Sequence, residues 1–156
     1  DRVADDLKDN DIPVLVQRVH SLPRYQNEDF DHPYKLPAKL AEKGVLVGLE
    51  GSGRMERMNS RNIPFYAGTT AGYGLSKEQA LQLITLNTAK ILGIDNQYGS
   101  LEKGKSATLI VSEGEALDMQ GNKLTHAFID GRSISLESHQ TQLYHKFKEK
   151  YAKQDE

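Results

Sequence analysis

The sequence predicts an α/β chain: strand–helix units first, then a small β module, then a C-terminal helix. Three observations predict it. Two continuous apolar runs of strand length, Ile12-Pro13-Val14-Leu15-Val16 and Val45-Leu46-Val47-Gly48-Leu49, have the character of strands covered on both faces, as in parallel sheets. The second run follows a helical pattern and Gly44, and helix, glycine, strand is the order of a βαβ unit. Late in the chain, Asp130-Gly131 separates two strand-like segments, residues 126–129 and 133–136, a hairpin signal of the type I′ kind.

Each element has its own local reason. Residues 3–7 read as a helix that stops at Asn10-Asp11, and Pro13 suits the start of the strand that follows. Residues 21–37 are polar, carry Pro23, Pro33 and Pro37, and are expected to form an irregular loop. Leu36, Leu40 and Ala41 have helical spacing, so a helix is expected over 36–43, ended by Gly44. The strand over 45–49 leads into the glycine-rich loop Glu50-Gly51-Ser52-Gly53-Arg54. Residues 62–73, rich in Ala and Gly, predict a helix that packs closely on a neighbour. Ser76 and Gln79 have capping-box spacing, with Ala80, Leu81, Leu83 and Ile84 as the apolar face behind them. A short helix restarts near Thr85 and ends at Gly93. Beyond residue 94 segments shorten: 108–111 reads as a strand, then comes the hairpin. In the final stretch, 138–153, Leu143, Phe147 and Tyr151 recur four residues apart, an amphipathic helix with a lysine-rich outer face.

Composition narrows the chemistry. There are no cysteines, which excludes a disulfide scaffold, a thiolate nucleophile and thiolate-held metal sites. Twenty Lys and Arg stand against 22 Asp and Glu, a net charge of −2, which gives no reason to expect nucleic acid or an anionic membrane as a partner. No apolar run approaches the roughly 20 residues of a membrane-spanning helix. The chain opens on Asp1-Arg2-Val3-Ala4-Asp5-Asp6, with no Met and no signal-peptide pattern, inside what reads as a helix. It is therefore expected to be a piece of something longer.

Several motifs have both a chemical and a structural reading. The 50–54 loop follows a strand, so phosphate binding is one reading, but it does not complete G-x-x-x-x-G-K-[ST] or G-x-G-x-x-G, and a structural turn is favoured. The small-residue stretch 67–74 also suits a nucleotide, yet small residues on a helix more often mean close packing. None of the five histidines shows H-x-H or H-x-x-x-H spacing. His20, at the end of the first strand segment, is where an α/β fold places functional groups, and it is the candidate pocket residue. No G-x-S-x-G elbow exists; Gly51-Ser52-Gly53 falls short of it. Lys146, Lys148, Lys150 and Lys153 read as a solvated helix face, partly cancelled by Glu149, Asp155 and Glu156.

Four blocks are more specific. Leu75-Ser76-Lys77-Glu78-Gln79-Ala80-Leu81, Thr85-Leu86-Asn87-Thr88-Ala89-Lys90-Ile91-Leu92-Gly93, Tyr98-Gly99-Ser100-Leu101-Glu102-Lys103-Gly104-Lys105-Ser106-Ala107-Thr108-Leu109-Ile110-Val111 and Phe128-Ile129-Asp130-Gly131-Arg132 follow one another in a characteristic order. Together they resemble the C-terminal end of the amidohydrolase superfamily, and in particular the imidazolonepropionase-like metal-dependent hydrolases. The resemblance spans residues 1–136 and is strongest over 75–132; Thr88 stands where the family usually has Pro.

The resemblance implies a distorted TIM-type barrel with a metal centre and a small β-sandwich. It implies hydrolysis of a cyclic amide, amidine or related non-peptide C–N bond of a small molecule by metal-activated water, with a carboxylate shuttling the proton. A complete barrel takes roughly 250 residues, so 156 residues correspond to the last strand–helix units over 1–93, a β-sandwich module over 94–136 and a C-terminal helix over 137–156. The two apolar runs then match the seventh and eighth barrel strands, and the family's other metal ligands precede residue 1. The family's Asp after strand eight falls on Ser52, with Glu50 two residues earlier as a possible substitute. The expectations are a fragment that is inactive alone and holds no metal itself, a parent that uses zinc or another divalent metal, and self-association of the fragment. Two alternatives stand beside this: a small α/β module binding an anion or nucleotide through 50–54 and 67–74, and a degenerate, non-catalytic relative.

Overall fold

The computed structural model describes residues 3–53 and 56–152; Asp1, Arg2, Arg54, Met55, Lys153, Gln154, Asp155 and Glu156 lie outside the described residues. The fold is mixed α/β. It contains a parallel two-stranded sheet, β1 (Val14–Val16) with β2 (Val47–Leu49), and an antiparallel three-stranded sheet in the order β3 (Leu109–Ser112), β4 (Leu124–Ile129), β5 (Arg132–Ser133). Helices α1 (Ala4–Asp9), α2 (His32–Glu42), α3 (Ile63–Gly72), α4 (Lys77–Gln82) and α5 (Leu86–Leu92) surround the parallel pair in sequence, a 3₁₀ helix (Glu56–Asn62) runs into α3, and α6 (His139–Ala152) closes the chain.

Local chemistry sets the ends of these elements. Asp5 and Asp6 occupy the first turn of α1 and Lys8 the last, complementing the helix dipole. Asp11 takes a left-handed φ of 52° just before the strand. β1 and β2 pair in register, Val14 with Val47 and Val16 with Leu49. The ladder runs past both strands, from the Val14 amide to the Leu46 carbonyl (2.9 Å) and from the Glu50 amide to the Val16 carbonyl (3.1 Å).

The loop expected over 21–37 gives way earlier than that. α2 begins at His32, because Pro33 sits in the first helical turn, where no N–H partner is required, and Asp31 pairs with Lys35 across that turn at 2.6 Å. Pro37 lies inside the helix, buried together with Ala38 and Leu40. Asp31 holds the Lys35 ammonium above its usual pKa, first through their hydrogen bond.

The capping box forms as its spacing predicts: the Gln79 amide donates to Ser76 Oγ (3.2 Å), and the Ser76 amide donates to Gln79 Oε1 (2.9 Å). Gly93 ends α5 in the left-handed conformation at φ 69°. The core joins Val16, Val19, Leu40, Val47, Leu49, Ala67, Leu75 and Leu83. Leu117, from the loop between β3 and β4, inserts into the same core and so ties the β module to the helices.

The hairpin turn has φ 49° at Asp130 and 78° at Gly131, matching the type I′ reading. Its second strand is shorter than expected. β5 is Arg132–Ser133, and pairing ends where the Ile134 amide donates to the Ala127 carbonyl at 3.0 Å. Ile134 and Leu136 remain exposed. α6 begins at a cap in which the Thr141 amide donates to Ser138 Oγ (3.2 Å), but it buries no residue.

Candidate functional site

Parallel strands deliver side chains to the loops at their carboxyl ends, and ligands in open α/β sheets bind there. β1 and β2 leave Gln17 and His20 on one segment and Glu50 and Ser52 on the other. The strand stops at Val16, so His20 sits four residues beyond it, in a loop and not at the strand end itself.

The two segments are laced together. The Gln17 side chain donates to the Ser52 carbonyl at 2.6 Å. The Ser52 amide donates to Glu50 Oε2 at 2.8 Å, which turns one carboxylate oxygen onto the loop's own backbone. A cleft of about 380 Å³ opens here, lined by Gln17, His20, Glu50, Gly51, Ile63 and Tyr66. Two of the three sequence-picked residues, His20 and Glu50, thus share a cleft. Ser52 stands beside it, its main chain bonded to Gln17 and to Glu50.

His20 is held from several directions. Its Nε2 lies 2.7 Å from Thr69 Oγ1 on α3. Its ring packs edge-on to Tyr66 (4.7 Å between centroids) and tilted against Tyr34 (5.7 Å), which itself stacks on Tyr73. Desolvation by these neighbours lowers the His20 pKa and favours the neutral imidazole. His20 and Thr69 also line a second cleft of about 480 Å³, together with Phe65, Lys77, Glu115 and Asp118 among others, with Lys77 and Glu115 ion-paired at 3.0 Å.

The glycine-rich and small-residue stretches serve packing. A Cβ at Gly51 would meet Ile63 Cδ1 at 3.0 Å, and one at Gly68 would fall 2.1 Å from the Leu117 carbonyl oxygen. Ala67 and Thr70 are fully buried, with Thr70 Oγ1 donating to the Ala67 carbonyl at 2.7 Å. The first turn of α3 continues directly from the 3₁₀ helix and contains Pro64, which has no N–H to offer. In the two stretches considered for an anion or nucleotide, 50–54 and 67–74, Gly51 and Gly68 thus allow close packing against Ile63 and Leu117. Arg54 lies outside the described residues.

A catalytic divalent ion needs about three converging protein ligands. Among the described residues no group of three or more His, Asp or Glu side chains converges in that way. The cleft offers one imidazole, whose Nε2 faces Thr69, and one carboxylate, half committed to the Ser52 amide. By themselves these residues do not fit a metal centre.

Sequence reasoning missed Gln17, Tyr34, Tyr66 and Thr69 as the companions of His20 and Glu50. No local pattern marks them, since Thr69 lies 49 positions from the imidazole it contacts.

Comparison with known proteins adds the following. The amidohydrolase family model matches residues 39–134, which contain the four blocks of the sequence resemblance. The imidazolonepropionase of Flavobacterium psychrophilum is 28% identical over 109 residues, covering 65% of this chain and 26% of its own length. The 5-methylthioadenosine/S-adenosylhomocysteine deaminase of Symbiobacterium thermophilum is 29% identical over 105 residues, covering 59% of this chain and 23% of its own. A solved amidohydrolase from Thermotoga maritima superposes with a TM-score of 0.70 at 29% identity, covering 86% of this chain and 34% of that one. The chain spans about a quarter of the length of the curated relatives it matches.

Proposed function

The chain belongs to the amidohydrolase family, and from that premise we propose that it is the C-terminal part of a hydrolase acting on a non-peptide C–N bond of a small molecule, of the cyclic amide or amidine type. On this reading β1 and β2 are the last two strands of a (β/α)₈ barrel with α2 as their crossover. Residues 94–136 are then part of a small β-sandwich, and α6 (His139–Ala152) an appended helix. The parallel pairing with an intervening helix supports the barrel assignment. The imidazolonepropionase and deaminase relatives support C–N hydrolysis.

One observation carries the site: His20 and Glu50 line one cleft at the carboxyl end of the parallel pair. In the proposed roles Glu50 stands in for the family carboxylate and moves a proton, with Oε2 steadied by the Ser52 amide. His20, neutral and braced by tyrosines, contacts the substrate. The family is typically metal-dependent. The ion, zinc or another divalent metal, is assigned to residues of the parent protein outside this chain, and none of the described residues is assigned to it.

The test compares the 156-residue chain with the protein expressed from its extended upstream coding sequence, both assayed with zinc on hydantoin- and imidazolone-type rings. The longer protein should hydrolyse such a ring and the chain alone should not. Glu50→Gln in the longer protein should lower kcat by about 10²–10⁴-fold. Hydrolysis with stoichiometric zinc in the short chain would overturn the fragment reading.

The Ser52 departure favours a second reading, a non-catalytic relative with a scaffold role. It gains if the longer protein neither binds metal nor turns over any such ring until Ser52→Asp is introduced.

A further inference from the structure

We propose that Thr69 is a positioning residue for His20: it accepts the Nε2–H of the imidazole, so that the neutral ring keeps Nδ1 unprotonated and presents it as a hydrogen-bond acceptor. The argument is a proton count. Thr69 Oγ1 is 2.9 Å from the Phe65 carbonyl one turn back in α3 and 2.7 Å from His20 Nε2. A threonine hydroxyl has one proton. Pointed at the imidazole, it would leave two oxygen lone pairs facing each other across 2.9 Å; pointed at Phe65, it adds a second hydrogen bond to that helical carbonyl and leaves Oγ1 to accept. The proton between Thr69 and His20 therefore belongs to the ring, and a neutral imidazole with Nε2–H has a bare Nδ1.

The ring plane is fixed independently. Tyr66 meets it edge-on at 4.7 Å and Tyr34 at a tilt at 5.7 Å, from two different helices. A ring flanked by two tyrosines and bonded at one nitrogen is preorganised, which is what a recognition group requires. A bare imidazole nitrogen recognises a donor, so it suits the N–H of an amide or amidine and gives no purchase to an anion. This consequence for substrate choice rests on the cleft being the site proposed above; the tautomer itself does not.

The experiment is ¹⁵N-histidine NMR of the protein, read at a pH where His20 is neutral. The wild type should show the proton on Nε2, Nδ1 unprotonated, and an Nε2–H signal protected from exchange with water. Thr69→Val should lose that protection, and Thr69→Ser, which keeps the acceptor, should restore it. A proton on Nδ1 in the wild type, or protection undiminished in Thr69→Val, overturns the proposal; the wild-type measurement needs no variant and stands even if Thr69→Val fails to fold. Kinetics in the longer protein separate the two ideas. If the NMR signature is present and Thr69→Val leaves kcat/KM unchanged, the reading of the cleft fails while the pairing holds.

Discussion

The side-chain amide of Asn87 donates a 2.9 Å hydrogen bond to the main-chain carbonyl of Val47. Leu46 and Glu50 spend their backbone groups on β1, so Val47 and Leu49 face the other side of β2. That side is closed by the α4–α5 junction: the Leu49 amide donates to the Leu83 carbonyl at 3.0 Å, and Thr88 Oγ1 donates to the same carbonyl at 2.7 Å. In this chain Asn87 and Thr88 thus cover that edge of β2. Asn87→Ala leaves the Val47 carbonyl without this donor and should cost about 1–3 kcal/mol in urea unfolding. A loss below the error of the measurement would mean that water replaces the bond.

Two glycines of α3 make opposite predictions. At Gly68 an added Cβ would press within 2.1 Å of the Leu117 carbonyl oxygen, a backbone atom that cannot swing aside. Gly68→Ala should destabilise by about 1–3 kcal/mol or expel Leu117 from the core. At Gly72, the last residue of α3, a Cβ meets nothing within 4 Å. Gly72→Ala should therefore be neutral or gain up to about 1 kcal/mol from reduced chain entropy. Thermal melts of the two single variants check the contrast directly.

The acid limb of the stability curve should report on Asp130. The Ser106 hydroxyl donates to its carboxylate, with Tyr98, Thr108 and Arg132 adding to the effect, and together they hold its pKa below the usual carboxylate value. A carboxylate depressed in the folded state contributes stability above its unfolded pKa of about 3.9, and that contribution is lost as pH falls through the folded value. Asp130→Asn keeps the left-handed turn and an acceptor oxygen but removes the charge. The variant should melt lower than the parent at neutral pH and converge with it as pH falls through the lowered folded pKa of Asp130. Parallel curves across the whole range would show that the charge contributes nothing.

What the sequence discloses is mostly local. Ser76 with Gln79, Gly93 and Asp130-Gly131 act within a few residues, so their chemistry is visible in one dimension and the structure repeats it. α2 begins four residues before the expected start because prolines read as breakers, whereas Pro33 fits a first turn. Leu117 is anonymous in a polar loop until the fold presses it onto Gly68. The site was half legible. His20 and Glu50 follow from strand-end logic, but the pairing of His20 with Thr69 and the tie from Gln17 to Ser52 depend on contacts across 49 and 35 positions, which no periodicity records.

The two edges of the parallel pair differ, and the difference predicts how the isolated chain behaves in solution. β2 is closed on its far side by Leu83 and Asn87, whereas β1 uses Val14 and Val16 to bond β2 and turns Leu15 outward, 39% exposed. Among the described residues no second strand pairs with β1, and such an edge next to apolar side chains is a template for another strand. Ile12 adds exposed apolar surface on the approach to that strand. The chain alone should therefore self-associate, with light scattering showing a mass that rises with concentration. Leu15→Lys places a charge on that edge and should shift the distribution towards monomer. Phe147→Ser, which interrupts the exposed stripe of α6, serves as the control for association through the helix instead. If only Phe147→Ser dissociates the assembly, the contact belongs to α6; a compact monomer at every concentration would rule out both surfaces.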